Sequence, residues 1–487
     1  MQSSLKKQTV SGVIWSAVQK FGTMAIAFVS NIVLARLLSP DDYGVIGMLM
    51  IFIVVANTFV DGGFGSALIQ KKEPTQEDYS TIFWWNLLLS IVLYCGLFIA
   101  APYIAKFYNL PLLSAVLRVQ SVVLILNSLS IIQQNRLRKT LLFKKLATVS
   151  IISSIISLII TIYLAYKGWG VWALVAHQII ISLFNAILYG IVGRWLPSFV
   201  FSKDSFKQLF GFGGFVLTSN LINTLCNNIQ GLLIGKFFLP ANLGYYTQAR
   251  KLEEVASTSL ETVVNQVSYP ILAQLQNDKH KLIAMLKKMV LSISFISIPL
   301  MIILIILSYQ LIELIYSEKW LPCVPYFNIL CLAGMAVSLQ GVHYYAVASI
   351  GKSKELFSWT LVKRFWGLVY LCVGIIVWGM DGLLWAIVAG SWTILIINAY
   401  LTDKYVGYKL KQQVIDILPT LISVAFSYVV PYIVINCFNL QYGIASFIHS
   451  IFFVIIYVLL AHTLRFEAYT QLKNVGLEYI NKLRMQK

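Results

Sequence analysis

Arg36-Leu-Leu-Ser-Pro40-Asp-Asp-Tyr-Gly44 joins one long apolar run to the next, and the pattern returns 200 residues later as Lys236-Phe-Phe-Leu-Pro240-Ala-Asn-Leu-Gly244. Both stretches read base, two apolar residues, one further position, Pro, three positions, Gly. Pro closing one helix and Gly opening the next predict a tight turn. Further along, Leu110-Pro111 falls over Leu321-Pro322, and Trp172-Ala-Leu-Val-Ala176 over Trp385-Ala-Ile-Val-Ala389, so the offset grows slowly through 211 to 213. Three matches in order mark the chain as an internal duplication.

Outward from these turns, fourteen apolar stretches fill the sequence: 12–38, 43–69, 80–105, 111–134, 143–166, 169–192, 208–238, 243–275, 289–316, 322–349, 355–378, 382–402, 414–436 and 443–464. A bilayer core of about 30 Å needs about 20 mostly apolar residues per helix. Composition agrees, at 59% hydrophobic, 11% charged and a mean hydropathy of +0.78. The predicted fold is an all-α polytopic membrane protein of about fourteen transmembrane helices. Two parallel six-helix repeats, related by a pseudo-two-fold axis along the membrane normal, are followed by two C-terminal helices. The expected domains are 1–192 (first bundle), 193–207 (cytoplasmic basic linker and hinge strap), 208–403 (second bundle), 404–464 (helices 13 and 14) and 465–487 (cytoplasmic tail). The basic start runs into the first span without a small-residue cleavage site, so a retained helix is expected rather than a signal peptide.

The net charge of +18 invites a nucleic-acid reading until its distribution is followed. With alternate loops assigned to the cytoplasm, 26 of the 37 Lys and Arg fall on that side, in clusters such as Arg136/Arg138/Lys139/Lys144/Lys145 and Lys279/Lys281/Lys287/Lys288. Only Arg36, Lys106, Lys167, Lys236 and Lys319 fall on the other. This is the positive-inside pattern with both termini cytoplasmic, and the excess charge meets anionic headgroups; nucleic acid is not implied. Six cysteines show no CxxC pairing and read as small buried hydrophobes. No histidine shows metal spacing, and His177, inside a span, reads as a packing residue.

Several charges lie where hydrocarbon is expected. Lys20, Arg118, Arg250, Lys251, Lys363 and Arg364 fall within spans, as do Asp61, Glu253, Glu254 and Glu261. Intramembrane charges face cavities or partners. Asp61 and Glu261 are separated by the repeat offset and read as candidate sites for a coupling proton or Na+. Lys20, Arg118, Arg250, Lys363 and Arg364 are the candidate cationic groups for an anionic ligand such as a diphosphate. Asn31, Asn220, Asn223, Asn227, Glu254 and Asn265 supply a polar lining on stripes of i, i+3, i+4 spacing. The blander reading of these stripes is interhelical hydrogen bonding, with Arg250–Glu254 as an i,i+4 pair. An enzyme is disfavoured, because the exterior loops are a few residues long and no metal motif, nucleotide loop or nucleophile elbow is apparent.

Ser11-Gly-Val-Ile-Trp15, Leu34-Ala-Arg-Leu-Leu-Ser-Pro-Asp-Asp-Tyr-Gly44, Asp61-Gly-Gly-Phe-Gly-Ser-Ala-Leu-Ile-Gln70 and Gly235-Lys-Phe-Phe followed by Leu-Gly-Tyr-Tyr246 resemble the bacterial polysaccharide-transporter family. Within it they resemble the Wzx-type lipopolysaccharide, O-antigen and exopolysaccharide branch of the MOP flippase superfamily. The resemblance spans the chain and is most specific over its first 70 residues. It implies a flippase of the cytoplasmic (inner) membrane that moves undecaprenyl-diphosphate-linked oligosaccharide repeat units to the periplasmic face by alternating access. No cofactor is expected beyond the coupling proton or Na+ read from Asp61 and Glu261. The partners expected are the polyprenyl-diphosphate-linked oligosaccharide, membrane lipids, and a polysaccharide polymerase with its chain-length regulator. A lipid II flippase and a cation-coupled multidrug exporter of the same superfamily are the alternatives. The excess of intramembrane bases over acids disfavours the exporter.

Overall fold

The computed structural model describes residues 2–437, 442–471 and 473, with side chains from residue 11 and excluding 260–267, 436 and 442. The expected tail beyond Lys473 lies outside this range. Among the described residues the chain is helical with no strand, as the hydrocarbon demands, because a helix pairs every backbone N–H and C=O within itself. The order is α1 (Gln2–Leu37), α2 (Pro40–Asp61), α3 (Phe64–Gln70), α4 (Gln76–Phe107), α5 (Leu112–Gln120), α6 (Val122–Lys139), α7 (Phe143–Tyr166), α8 (Val171–Gly193), α9 (Lys203–Phe237) and α10 (Pro240–Gln274). There follow α11 (Lys279–Ile306), α12 (Ser308–Tyr316), a 3-10 turn at Glu318–Cys323, α13 (Val324–Ser349), α14 (Ser353–Val406), α15 (Leu410–Asn436) and α16 (Tyr442–Thr463). Two compact units divide the chain at Thr247/Gln248.

Twelve of the described helical segments are long and apolar enough to cross a membrane, against the fourteen expected, and the two differences have physical causes. The polar residues crowding α10 keep it out of the apolar set although its 35 residues extend about 50 Å at 1.5 Å per residue. Within α14, Gly379 adopts φ 61, ψ −130, a backbone region that glycine alone enters readily. The chain folds back there. Lys363 meets Asn398, Tyr370 meets Thr393, and Gly374 meets Gly382 across the fold, so the two halves run antiparallel as a hairpin. Each half is long enough to span the hydrocarbon.

In the first unit, capping boxes start two of the helices. Ser39 and Asp42 exchange side-chain-to-backbone hydrogen bonds at the head of α2, and Thr75 and Asp78 do the same for α4. Lys71 joins the latter through an ion pair of 2.8 Å to Asp78. Small residues allow close packing, as where Gly12 and Gly22 on α1 lie against Phe143 and Ile151 on α7, and Gln19 donates to Ser150 at 2.9 Å. The linker after α8 is extended and strapped along α4. Trp195 donates to Gln76 and packs edge-on against Tyr79 and Phe83, Ser198 pairs with Ser80 at 2.9 Å, and Ser202 N–H donates to Thr81 at 3.0 Å.

The repeated turn differs from its sequence expectation. Pro40 and Pro240 do not close helices; they occupy the first turns of α2 and α10, where the missing N–H costs nothing. Gly44 and Gly244 serve a crossing, not a turn. A Cβ on Gly44 would lie 1.9 Å from the Pro240 carbonyl oxygen, and one on Gly244 would lie 2.1 Å from that of Pro40. Two helix starts therefore cross backbone to backbone, reciprocally, within the first unit.

The second unit packs α11, α13, the α14 hairpin and α15 around Leu286, Val290, Val342, Val347 and Leu401. Lys287 and Asp416 pair at 2.7 Å between α11 and α15, and Tyr457 on α16 donates to the Phe295 carbonyl at 3.0 Å. At the Gly44/Gly244 contact, as at Gly374/Gly382, the opposing atoms are backbone and cannot give way to a side chain. Gly44→Ala and Gly244→Ala are each expected to cost about 1–3 kcal/mol through overpacking. Both should lower the thermal stability of purified protein, while Gly96→Ala, which has open space around it, leaves it unchanged.

Candidate functional site

A polar side chain exposed on a transmembrane helix cannot face lipid, so it marks a hydrated space or a ligand. α9 shows this most clearly. Asn220, Asn223 and Asn227 are exposed and, at 100° per residue, share one face. Phe215, Ile222 and Leu225 are also exposed, at 83%, 42% and 46%, but they lie on roughly the opposite face and suit lipid. The edge between is fixed to α2, where the Thr224 and Thr58 hydroxyls meet at 3.3 Å. Asn228 is turned inward to the Thr224 carbonyl at 2.8 Å.

α1 repeats the arrangement. Lys20 is exposed and Asn31 half-buried on the same face, whereas the exposed Ile14, Val18, Phe21 and Val29 lie around the other side. No ion pair is described for Lys20. On α2, Asn57 accepts from Asn127 of α6 at 3.0 Å. Asp61, one turn beyond, is half-buried, accepts from the Gly63 N–H and feels the charge of Arg138. Arg118, expected with these groups, instead donates to the Phe98 carbonyl on α4 at 3.2 Å and lies 4.4 Å over the Phe98 ring.

In the second unit, Arg250 Nε and Glu254 form an i,i+4 ion pair of 2.7 Å, both half-exposed. Lys363 is buried inside the α14 hairpin, donating to Asn398, whose amide donates to the Gln340 carbonyl at 3.2 Å. Its neighbour Arg364 is half-buried. The side chains of Glu261 and Asn265 lie outside the described residues. Of the candidate cations, Lys20 thus has the most accessible charge, while Arg118, Arg250 and Lys363 are engaged by neighbouring helix groups. The His177 ring nitrogen Nδ1 shares hydrogen bonds with Ser157 at 2.8 Å and Thr161 at 3.2 Å.

Sequence reasoning missed Asn127, a single amide in an apolar run, and the Lys363–Asn398–Gln340 chain, which depends on the hairpin register. Outside the spans, Tyr108 buttresses α2 by donating to the Met48 carbonyl at 3.3 Å, and burial pushes its phenol up to about 12. All six cysteines are free thiols. Among the described residues no three His, Cys, Asp or Glu side chains gather as a metal site.

An all-helical, multi-pass membrane protein with polar faces inside its spans is the class these features define. The chain belongs to the Polysaccharide biosynthesis protein family, whose model matches residues 33–325. Teichuronic acid biosynthesis protein TuaB of Bacillus subtilis (strain 168) is 29% identical over 358 residues, covering 73% of this chain and 74% of that one. Succinoglycan biosynthesis transport protein ExoT of Rhizobium meliloti (strain 1021) is 24% identical over 364 residues, covering 74% of each. Among solved structures, lipid II flippase MurJ in an inward closed conformation aligns at TM-score 0.71 and 16% identity, over 93% of this chain and 99% of that one. That last likeness is one of fold.

If the exposed face of α1 and α9 contacts a ligand, Lys20→Ala and Asn223→Ala should each reduce surface polysaccharide at least tenfold with protein abundance unchanged. Phe215→Ala, on the lipid side, should leave both near normal. Quantitative immunoblotting alongside polysaccharide assay checks this; a parallel fall in abundance would assign these residues to packing.

Proposed function

We propose that this protein is a flippase that carries undecaprenyl-diphosphate-linked oligosaccharide repeat units from the cytoplasmic to the periplasmic face of the inner membrane, for assembly of a surface polysaccharide. The observation that carries the reading is the family match together with relatives whose names place them in polysaccharide biosynthesis and transport. A diphosphate bearing several sugars cannot cross about 30 Å of hydrocarbon unaided, because each buried charge costs several kcal/mol or more. A protein path lined by amides and a lysine lowers that barrier without covalent chemistry.

In this reading Lys20 holds the diphosphate as a point charge, and the amides of Asn220, Asn223 and Asn227 exchange hydrogen bonds with sugar hydroxyls. The polyprenyl tail stays in lipid beside the apolar side of α9. Alternating access moves the head group, driven by a coupling proton or Na+, and no other cofactor is required. Both termini are cytoplasmic, as the loop charges favour. A polymerase and a chain-length regulator act on the delivered units. The names of the relatives favour polysaccharide repeat units over lipid II or cationic drugs.

Deletion of the gene in its host tests the proposal. Loss of polymer, with repeat units trapped on the cytoplasmic face and both defects reversed by the intact gene, is the expected result. Polymer loss with units still reaching the periplasmic face would assign the protein to a later step. Normal polymer with altered drug sensitivity would replace the proposal with the exporter reading.

A further inference from the structure

The strap that leaves α8 turns one side chain inward and holds others bare. Trp195 is 6% exposed, whereas Leu196 is 83% and Phe199 92% exposed. The backbone between them is pinned to α4. Gln76 Nε2 donates to the Leu196 carbonyl at 2.9 Å, the Ser198 N–H donates to Ser80 at 3.0 Å, and Trp84 Nε1 donates to the Ser198 carbonyl at 2.8 Å. The Phe199 ring stacks on Trp84 at 5.1 Å and still remains almost wholly uncovered. Two large apolar side chains are thus held outward by a fixed backbone.

Their depth and their flanks say what covers them. Gln76 and Trp84 are eight residues apart, about 12 Å along α4, so the strap descends from the first turn of that helix to its third. Trp84 lies within a helix long and apolar enough to cross a membrane, and a phenyl ring held beside it meets acyl chains at their boundary with the headgroups. Basic groups rim the apolar pair. Within residues 194–207 three exposed cations, Arg194, Lys203 and Lys207, stand against one acid, Asp204. Arg194 ends α8 in the left-handed region, at φ 47, where glycine is the usual residue. Behind the strap, the Arg136 guanidinium lies 5.5 Å over the Tyr79 ring and 5.2 Å over that of Trp195, and adds to the positive charge.

We propose that residues 194–207 form a binding element for anionic phospholipid. Leu196 and Phe199 insert among the acyl chains of the adjoining leaflet, while Arg194, Lys203 and Lys207 hold the headgroup phosphates. An apolar wedge flanked by basic side chains is the form of an interfacial anchor, and each cation held at an anionic surface adds to the attraction. Guanidinium matches a phosphate through two parallel hydrogen bonds. The strap is tied to α4 on one side and runs directly into the Ser202 cap of α9 on the other. Lipid held there fixes the height at which α9 enters the membrane. The inference goes beyond the proposed function and requires only that the chain spans a bilayer.

Photo-crosslinking of the full chain tests the occupant. p-Benzoylphenylalanine replaces Phe199, the protein is placed in nanodiscs of equal phosphatidylglycerol and phosphatidylcholine, and adducts are read by mass spectrometry. The expected result is a phospholipid adduct at position 199 in which phosphatidylglycerol exceeds phosphatidylcholine several-fold. That preference should fall to parity when Arg194→Ala, Lys203→Ala and Lys207→Ala are combined. The same probe at Phe215, further along α9, should take both lipids equally. No lipid adduct at 199 alongside one at 215 would overturn the proposal, and so would equal adducts of the two lipids at 199 with the three cations intact. If the Phe199 variant does not accumulate, Leu196 carries the probe with the same expectations. An adduct with another polypeptide in native membranes, in place of lipid, would overturn the proposal and assign the surface to a protein partner.

Discussion

Hydrocarbon offers no hydrogen bonds, and every other feature of this chain follows from that. Backbone groups must pair within their own segment, so the chain is helical from α1 to α16. Many side chains obey the same rule, and two sets of polar ones stand out. One set is bonded from helix to helix: Gln19 to Ser150, Asn127 to Asn57, Lys363 to Asn398. The other is exposed, as Lys20, Asn220, Asn223 and Asn227 are. The first set holds helices together. The second makes no sense against lipid, and the proposed ligand path is drawn from it.

Close packing in such a protein cannot lean on the hydrophobic effect, since lipid tails are as apolar as leucine. It leans on backbone approach instead. Gly44 against Pro240, Gly244 against Pro40, and Gly374 against Gly382 bring carbonyl oxygens to within 1.9–2.3 Å of where a Cβ would stand. At Gly334 the same device opposes the carboxyl group of Glu253 rather than a carbonyl. Glycine thus sets how near the helices come in three of these places, and in the fourth it decides where a titratable group can hide.

The fold was legible because its signals are long. Apolar runs of two dozen residues need no tertiary information, and they forecast most of the helices. What escaped was anything set by register between distant segments. The local pattern at Pro40–Gly44 suggests a turn, and nothing local reveals that Gly44 meets Pro240. Arg118 looked available from sequence because its partner is a backbone carbonyl of α4, which carries no residue-type signature. Lys363 looked like a cavity cation because Asn398 comes to it only through the reversal at Gly379. The amides of α9 were readable, since their spacing alone puts them on one face.

The engagement of the other cations sharpens the chemistry expected of the exposed face. Arg250 has a carboxylate at one turn's distance, and a pair of this kind offers a dipole more than a net charge. Arg118 is a hydrogen-bond donor to its own unit and stacks on Phe98. An accessible ammonium on α1 and a row of amides on α9 suit a ligand with a compact anionic end and a long neutral polar body. A ligand that is cationic throughout would find no carboxylate on this face of α1 or α9. A purely apolar one would gain nothing from three exposed amides that it must first strip of water. A diphosphate continued by sugars matches both halves, because the charge meets a strongly hydrated point cation and the hydroxyls meet groups that both donate and accept.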